Sequence, residues 1–293
     1  MIRVGTRGST LALAQASWVA ERLGGEAELV TVTTAGDRGA GAADKSRWVS
    51  ELERALLADE IDLAVHSAKD VPAELGDGLE LVAFPPRADA RDVICGAASL
   101  AELRAGARVG TSSLRRAAQI RAVREDVEIV AMRGNVDTRL RKLSAGHCDA
   151  LVLARAGLER LGRLDAVGGV LEELVPAAGQ GALAVEARSS ASALRVSALA
   201  GVTDSDTAAC VQAERDLVRA LGATCNTPVG AHAQAVSGGE VELVAWVGLP
   251  DGSAWVRDQV SGAADAVGLA VAERMVAAGA EGLLRRAEGE RAA

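Results

Sequence analysis

An α/β fold with largely parallel sheets, followed by a smaller α+β domain, is what the sequence predicts, and three observations predict it. Through roughly the first 200 residues, short apolar runs alternate with segments carrying apolar residues at helical spacing, the pattern of buried strands joined by helices. After Thr203 the order changes to a helix, a loop and three strand-like runs in succession. The chain has 293 residues, 49% hydrophobic and 25% charged, which is enough apolar material for two or three cores.

Strands are predicted at residues 2–6, 27–34, 62–66, 80–84, 108–110, 128–132, 150–154 and 182–186, each an apolar run too short for a stable helix. Between them, residues 11–23, 48–57, 114–124 and 136–145 carry apolar side chains at helical intervals. Phe84-Pro85-Pro86-Arg87 and Pro176-Ala177-Ala178-Gly179-Gln180-Gly181 break the alternation and mark two crossings between domains. Beyond Thr203 a helix is predicted at 207–221, strands at 229–235, 242–247 and 255–260, and a last helix at 265–278. Pro250-Asp251-Gly252-Ser253 makes the turn between the last two strands.

Composition narrows the function. Aromatics are 2% and tyrosine is absent, so stacking platforms for single-stranded nucleic acid are not expected. A net charge of -8 argues against nucleic acid or a membrane surface as a partner held by bulk electrostatics. An anion site must then be local. Of 32 basic residues only Lys45, Lys69 and Lys142 are lysine, and most of the arginines are read as solvated helix faces. Met1-Ile2-Arg3-Val4 enters a strand at once and no apolar run approaches the ~18 residues of a membrane span, so a cytoplasmic protein is expected. Cys95, Cys148, Cys210 and Cys225 are widely spaced and the three histidines form no paired spacing, so neither a disulfide framework nor a metal site is expected.

Ligands of open α/β sheets collect beyond the carboxyl ends of the strands. Those positions here hold Thr6-Arg7-Gly8-Ser9, Ser67-Ala68-Lys69-Asp70, Thr111-Ser112-Ser113-Leu114-Arg115-Arg116 and Arg133-Gly134-Asn135, with Arg139 one turn later. Free helix N-termini with hydroxyls bind anions and guanidinium forks grip carboxylates, so the expected ligand is polyanionic. Asp70 is the one acid in this basic set. It reads either as a strand-end cap or ion-pair partner, or as a carboxylate acting on protons of a substrate. Cys225, in "GATCNTPVG", is the only cysteine in an apparent loop and reads either as inert or as reactive, with nothing local to decide between them, while the other three read as packing residues. His66 reads as a satisfied strand-end histidine. Residues 39–46 nearly spell a phosphate-binding loop, but Asp44 replaces the glycine before Lys45, which argues against a nucleotide.

Seven stretches taken together, "GTRGSTLALAQ", "DLAVHSAKDVP", "VGTSSLRRAAQ", "RGNVDTRL", "ARAGLERLG", "GQGALAVE" and "CNTPVG", resemble the porphobilinogen deaminase family, also called hydroxymethylbilane synthases. The resemblance implies two domains similar to type 2 periplasmic-binding proteins around a cleft, 1–86 with 182–200 and 87–181. A small α+β domain with a three-stranded antiparallel sheet follows at 203–293. It implies stepwise condensation of four porphobilinogens into a linear tetrapyrrole, with loss of ammonia, on a dipyrromethane cofactor joined to Cys225 by a thioether. Each pyrrole carries an acetate and a propionate, so the growing chain demands cations. By motif position the catalytic residues are Asp70, Lys69 and Arg7. The cofactor would be held by Ser67, Lys69, Asp70, Thr111, Ser113, Arg115, Arg116, Arg133 and Gly134. Substrate would be held by Arg7, Ser9, Lys45, Arg133, Arg139, Arg160 and Gln180. No metal is implied, and a monomer is. The sequence departs from the family pattern at Lys45-Ser46-Arg47-Trp48, where a mobile loop is usual, and at Thr224, where glycine is usual. A non-catalytic anion-binding protein is the alternative; it would share the arginines but need neither Cys225 nor the last domain.

Overall fold

The computed structural model describes residues 1–23, 27–32, 46–191, 199–224 and 227–292. Its first sheet contains β1 (Ile2–Arg7), β2 (Ala27–Val32), β3 (Leu63–Ser67), β4 (Leu79–Ala83) and β10 (Leu183–Arg188), in the order β2-β1-β3-β10-β4. Its second contains β5 (Asp92–Cys95), β6 (Arg108–Gly110), β7 (Glu128–Val130), β8 (Ala150–Ala154) and β9 (Gly169–Leu171), in the order β7-β6-β8-β5-β9. The two orders are the same pattern. Three consecutive strands pair in parallel, a reversed strand lies beside them, and a final strand takes the edge. In each sheet the reversed strand is delivered by the other half of the molecule: β10 arrives from the second sheet and β5 from the first. Both are antiparallel to their two neighbours. The expectation of largely parallel sheets is corrected accordingly, because each sheet exchanges a strand with the other and two of its four pairings are antiparallel.

Helix α1 (Thr10–Arg22) covers one face of the first sheet, its Ala16 and Val19 packing with Val4, Leu63 and Val65. Helix α2 (Ser46–Leu57) covers the other with Leu52, Ala55 and Leu56 against Ile61 and Ala64. On the second sheet, Ile120 of α3 (Leu114–Val123) packs with Val109 and Val152. Leu140 of α4 (Val136–Ser144) and Leu158 of α5 (Arg155–Arg160) pack on the opposite face with Cys95 and Leu151. Strands β5 and β9 and helix α5 were not among the expected elements. They are three to six residues long, too short for a periodic signal.

The third sheet is antiparallel, β11 (Val229–Ala235), β12 (Glu240–Gly248) and β13 (Trp255–Ala263) in that order. One face packs on α6 (Ser205–Ala220), α7 (Val267–Ala277) and α8 (Ala280–Ala292), the last unexpected from its glycine-interrupted sequence. Trp246 on the other face packs with Ala118 and Val175 of the second lobe.

The junction of the three lobes is polar and centres on a buried carboxylate. Glu214 on α6 has no solvent exposure. Arg87, from the crossing between β4 and β5, reaches it with Nη1 at 2.6 Å and Nη2 at 3.2 Å. Gly179 N, from the crossing between β9 and β10, donates to it at 2.6 Å, and Ala233 N on β11 at 2.7 Å. Burial opposes the charge of Glu214, but Arg87 and His232 overcome it and hold the carboxyl below its ordinary range. Removing one partner of such a pair strands the other charge in the interior. Glu214→Ala is therefore expected to destabilise the fold by about 3–5 kcal/mol, to be measured as the loss in urea-unfolding free energy.

Candidate active site

The carboxyl edges of the first two sheets face one another, and the expected cationic residues come from the turns along those edges. Strand β3 ends in a single 3-10 turn, Ala68–Asp70, closed by Val71 N–H on Ala68 O. Ser67 is fixed from α1, where Gln15 Nε2 donates to its hydroxyl at 2.8 Å. Ser9 caps α1, accepting from Ala12 N–H at 3.3 Å, just beyond Arg7 at the end of β1. In the second lobe Ser113 caps α3 by accepting from Arg116 N–H, and Thr111 Oγ1 accepts from Ser113 N–H at 3.2 Å. Gly134 has φ +117, and a Cβ there would meet Thr138 Cγ2 at 2.8 Å, so the turn between Arg133 and the Asn135 cap of α4 needs a glycine.

Arg115 and Arg116 are buried, 5% and 6% exposed, and both close on Asp92, which is 0% exposed. Arg115 Nη1 lies 2.7 Å from Asp92 Oδ2 and Arg116 Nη2 lies 2.8 Å from Oδ1. Burial works against an ionised Asp92, but the two guanidiniums outweigh it and hold the carboxyl far below its ordinary range. Two arginines against one carboxylate leave a net positive charge in a low-dielectric setting. Gln180, 1% exposed, completes the cluster. Its Nε2 donates to Asp92 Oδ1 at 2.8 Å and Ala90 O at 2.6 Å. Its Oε1 accepts from Arg116 Nη2 at 3.4 Å, Arg115 Nη2 at 3.5 Å and, from the first lobe, Lys69 Nζ at 3.4 Å. All the polar atoms of Gln180 are thus turned to protein partners. Gly179 lets it sit there: φ is +71, and a Cβ would lie 2.8 Å from Lys69 N.

Arg139 on α4 faces the same cluster. Burial and the like charge of Arg116 push its guanidinium below its ordinary value, and the carboxylate of Asp70 opposes them. The Nε atoms of Arg115 and Arg139 are buried and lack a hydrogen-bond partner among the described residues. Arg160, pushed down by burial against Glu159, donates to Gly181 O at 2.6 Å.

The structure therefore brings together Asp70, Lys69, Arg115, Arg116, Arg139 and Gln180, with Ser67, Thr111 and Ser113 in the turns that support them. Arg133 is exposed in the loop after β7. Lys45 and Cys225 lie outside the described residues. Thr224 and Thr227, on either side of the Cys225 position, are tied to each other: Thr224 N–H donates to Thr227 Oγ1 at 3.0 Å and Thr227 Oγ1–H to Thr224 O at 2.7 Å. Cys95, Cys148 and Cys210 are buried free thiols, and burial pushes Cys95 and Cys210 up to about 11, so they are not nucleophiles. His66 is satisfied by Glu186 at 2.9 Å. Among the described residues no group of three or more histidines, cysteines or acids is placed to hold a metal, and no helix is long and apolar enough to cross a membrane.

Sequence reasoning missed Asp92, Arg87 and Glu214. Asp92 had a signal, an acid opening the apolar run Val93-Ile94-Cys95. A carboxylate on a buried strand requires cationic partners.

Fold and site together define an α/β protein of two lobes that meet at a buried, cation-rich cluster, braced by a third lobe. Residues 2–196 match the family described as "Porphobilinogen deaminase, dipyromethane cofactor binding domain", and residues 208–277 match "Porphobilinogen deaminase, C-terminal domain". The porphobilinogen deaminase of Trichlorobacter lovleyi is 46% identical, over 97% of this chain and 95% of its own. That of Deinococcus deserti is 44% identical over 97% of each, and that of Mycobacterium leprae 45% identical over 100% of this chain and 99% of its own. Among solved structures, the methionine-binding protein MetQ aligns with a TM-score of 0.45 at 16% identity, covering 69% of this chain and 90% of its own. The chain belongs to the porphobilinogen deaminase family.

Asp92 also fixes a pH dependence. Its carboxyl is depressed in the folded state, so its stabilisation is complete above the unfolded value of about 3.9 and is lost as pH falls through the lower folded value. Asp92→Asn is expected to lower stability at neutral pH by about 3–5 kcal/mol and to flatten the acid limb of the stability profile. Chemical unfolding at pH 7 and at successively lower pH measures both effects.

Proposed function

We propose that the chain is a hydroxymethylbilane synthase, a transferase of haem and other tetrapyrrole biosynthesis. It condenses four porphobilinogens head to tail, releasing ammonia at each addition. Family membership supports the reaction. The observation that carries the site assignment is the meeting of Asp70 and Lys69 from the first lobe with Arg139 and the Arg115–Arg116–Asp92–Gln180 cluster from the second.

The residues fit a dipyrromethane cofactor. Its acetates and propionates need buried cations, and the cluster offers a net positive charge and two buried guanidinium N–H groups, on Arg115 and Arg139, that lack acceptors among the described residues. Ser67, Thr111, Ser113, Arg133 and Gly134 would complete the cradle, with Cys225 as the thioether anchor. When bound there, the cofactor supplies the pyrrole carbon at which the chain begins. Arg7, Ser9, Lys45, Arg133, Arg139 and Arg160 would hold incoming porphobilinogen by its carboxylates. The guanidinium of Arg139 and the carboxylate of Asp70 act on one another by charge. As ammonia leaves porphobilinogen, positive charge spreads over the methylene carbon and the pyrrole nitrogen; an ionised Asp70 accepts a hydrogen bond from that N–H and stabilises the cation. Lys69, held by Gln180, adds a further positive charge for the carboxylates.

On this reading the lobes at 1–86 with 182–200, 87–181 and 203–293 are the catalytic, carboxylate-binding and cofactor-attachment domains. The protein works as a cytoplasmic monomer that binds neither nucleic acid nor membrane. One chain supplies every assigned residue, the net charge is -8, and the three described cysteines are free thiols, as a reducing compartment requires. Asp70→Asn is expected to stay folded and lose turnover by at least about a hundredfold, measured as ammonia release or tetrapyrrole formation. Intact mass of the purified protein is expected to exceed the sequence mass by two pyrrole units, and Cys225→Ser to abolish the excess. Normal turnover by Asp70→Asn or an unmodified wild-type mass would defeat the assignment.

A further inference from the structure

Helix α6 reaches the segment that follows Asp70. Val71, Pro72 and Ala73 belong to no strand or helix, so their carbonyls must find partners elsewhere in the fold. Arg215 provides them. Its Nη1 donates to Val71 O at 3.5 Å, and its Nη2 to Pro72 O at 2.9 Å and Ala73 O at 3.0 Å. Arg219, one turn on, adds a bond from Nη2 to Ala73 O at 3.1 Å. One turn back along the same face, Val211 packs with Ala68 and Val71. Arg215 is 7% exposed, and all three of these acceptors are backbone carbonyls, so its fork fixes the path of one short segment. Pro72 sharpens the dependence, because it has no N–H with which to join a backbone ladder.

We propose that Arg215 is a positioning residue for the reaction: by holding the three carbonyls after Asp70 it sets the direction from which the Asp70 carboxylate enters the cleft. The proposal rests on the reading of Asp70 as the catalytic carboxylate. Glu214, the preceding residue, grips Arg87 and Gly179 at the crossings, and Gly179 precedes Gln180, the partner of Lys69 and of the arginine pair. Two neighbouring residues of one helix thus hold the two sides of the cleft, and the same helix ends at Ala220, shortly before Cys225. The lobe that carries the cofactor cysteine thereby fixes the acid and the cations relative to one another. A planar fork suits this task; an ammonium is a single point donor on a flexible stem.

The test uses the full-length, cofactor-loaded protein with Arg215→Lys and Arg215→Met, each also combined with Asp70→Glu, which keeps the carboxylate but displaces it. Turnover, intact mass and thermal unfolding are measured for all. Arg215→Met is expected to lower kcat roughly ten- to hundredfold with KM changed less than about twofold, and to retain the added mass of two pyrrole units; Arg215→Lys should recover part of the loss. In the Asp70→Glu background the same substitutions are expected to cost far less, because a carboxylate already out of place has little more to lose. Unchanged kcat in folded, loaded Arg215 variants overturns the proposal, as does a loss that multiplies in full with that of Asp70→Glu, since a general weakening of the fold acts independently of Asp70. If Arg215→Met does not fold, Arg215→Lys and its combination with Asp70→Glu decide alone. An inactive Asp70→Asn beside unaffected Arg215 variants defeats the positioning role only; full turnover by Asp70→Asn defeats the catalytic reading and the proposal with it.

Discussion

One carboxylate between two guanidiniums governs the architecture of the cleft. Arg115 and Arg116 stand at the start of a helix, where the backbone already carries partial positive charge, and both are buried. Without Asp92 they would repel each other and the helix end. With it, the trio is compact and still carries a net positive charge. That residual charge is directed by Gln180, which joins the trio to Lys69 across the gap between the lobes. Carboxylates can then be bound by charge without a flexible, solvated array of arginines, and the surface as a whole remains acidic.

The same economy operates at the junction of the three lobes. Each crossing between the first two lobes contributes one group to Glu214, the Arg87 fork and the Gly179 amide, and the third sheet contributes the Ala233 amide. All three elements meet on a single buried carboxylate, so a displacement of one crossing is felt by the other. Gly181 follows the same logic: with φ +87, it brings its carbonyl within reach of Ala88 N–H on the opposite crossing at 3.2 Å, where a side chain would collide with Ala88.

Much of this was legible in the sequence. The turns that line the cleft could be found because they follow apolar runs and concentrate arginine, lysine and hydroxyl residues. The small final sheet could be read from three strand-like runs in succession and from Pro250-Asp251-Gly252-Ser253. The reversed direction of β5 and β10 could not. A strand such as Asp92-Val93-Ile94-Cys95 has no direction in a one-dimensional pattern, and its partners Leu151 to Ala154 lie far along the chain. The sharing of charge was equally hidden. Arg115 and Arg116 announced a ligand, yet their first partner is Asp92; Gln180 looked like a ligand contact, yet its amide is turned to the protein. Sequence identifies which chemistry is gathered at a sheet edge, and only the folded chain assigns each charge to its counter-charge.

The exchanged strands carry a consequence for synthesis. Strands β3 and β4 emerge from the ribosome early, but they are joined only through β10, whose residues 183–188 are made after the entire second sheet. Until then the nascent first lobe presents two unsatisfied strand edges in the middle of its sheet, the kind of surface that pairs with foreign strands. The amino-terminal half cannot finish folding as an autonomous unit during translation, and β10 closes it late, from a distance of more than a hundred residues. The first sheet is thus completed by pairings of high sequence separation, which cost loop-closure entropy before they return any stability.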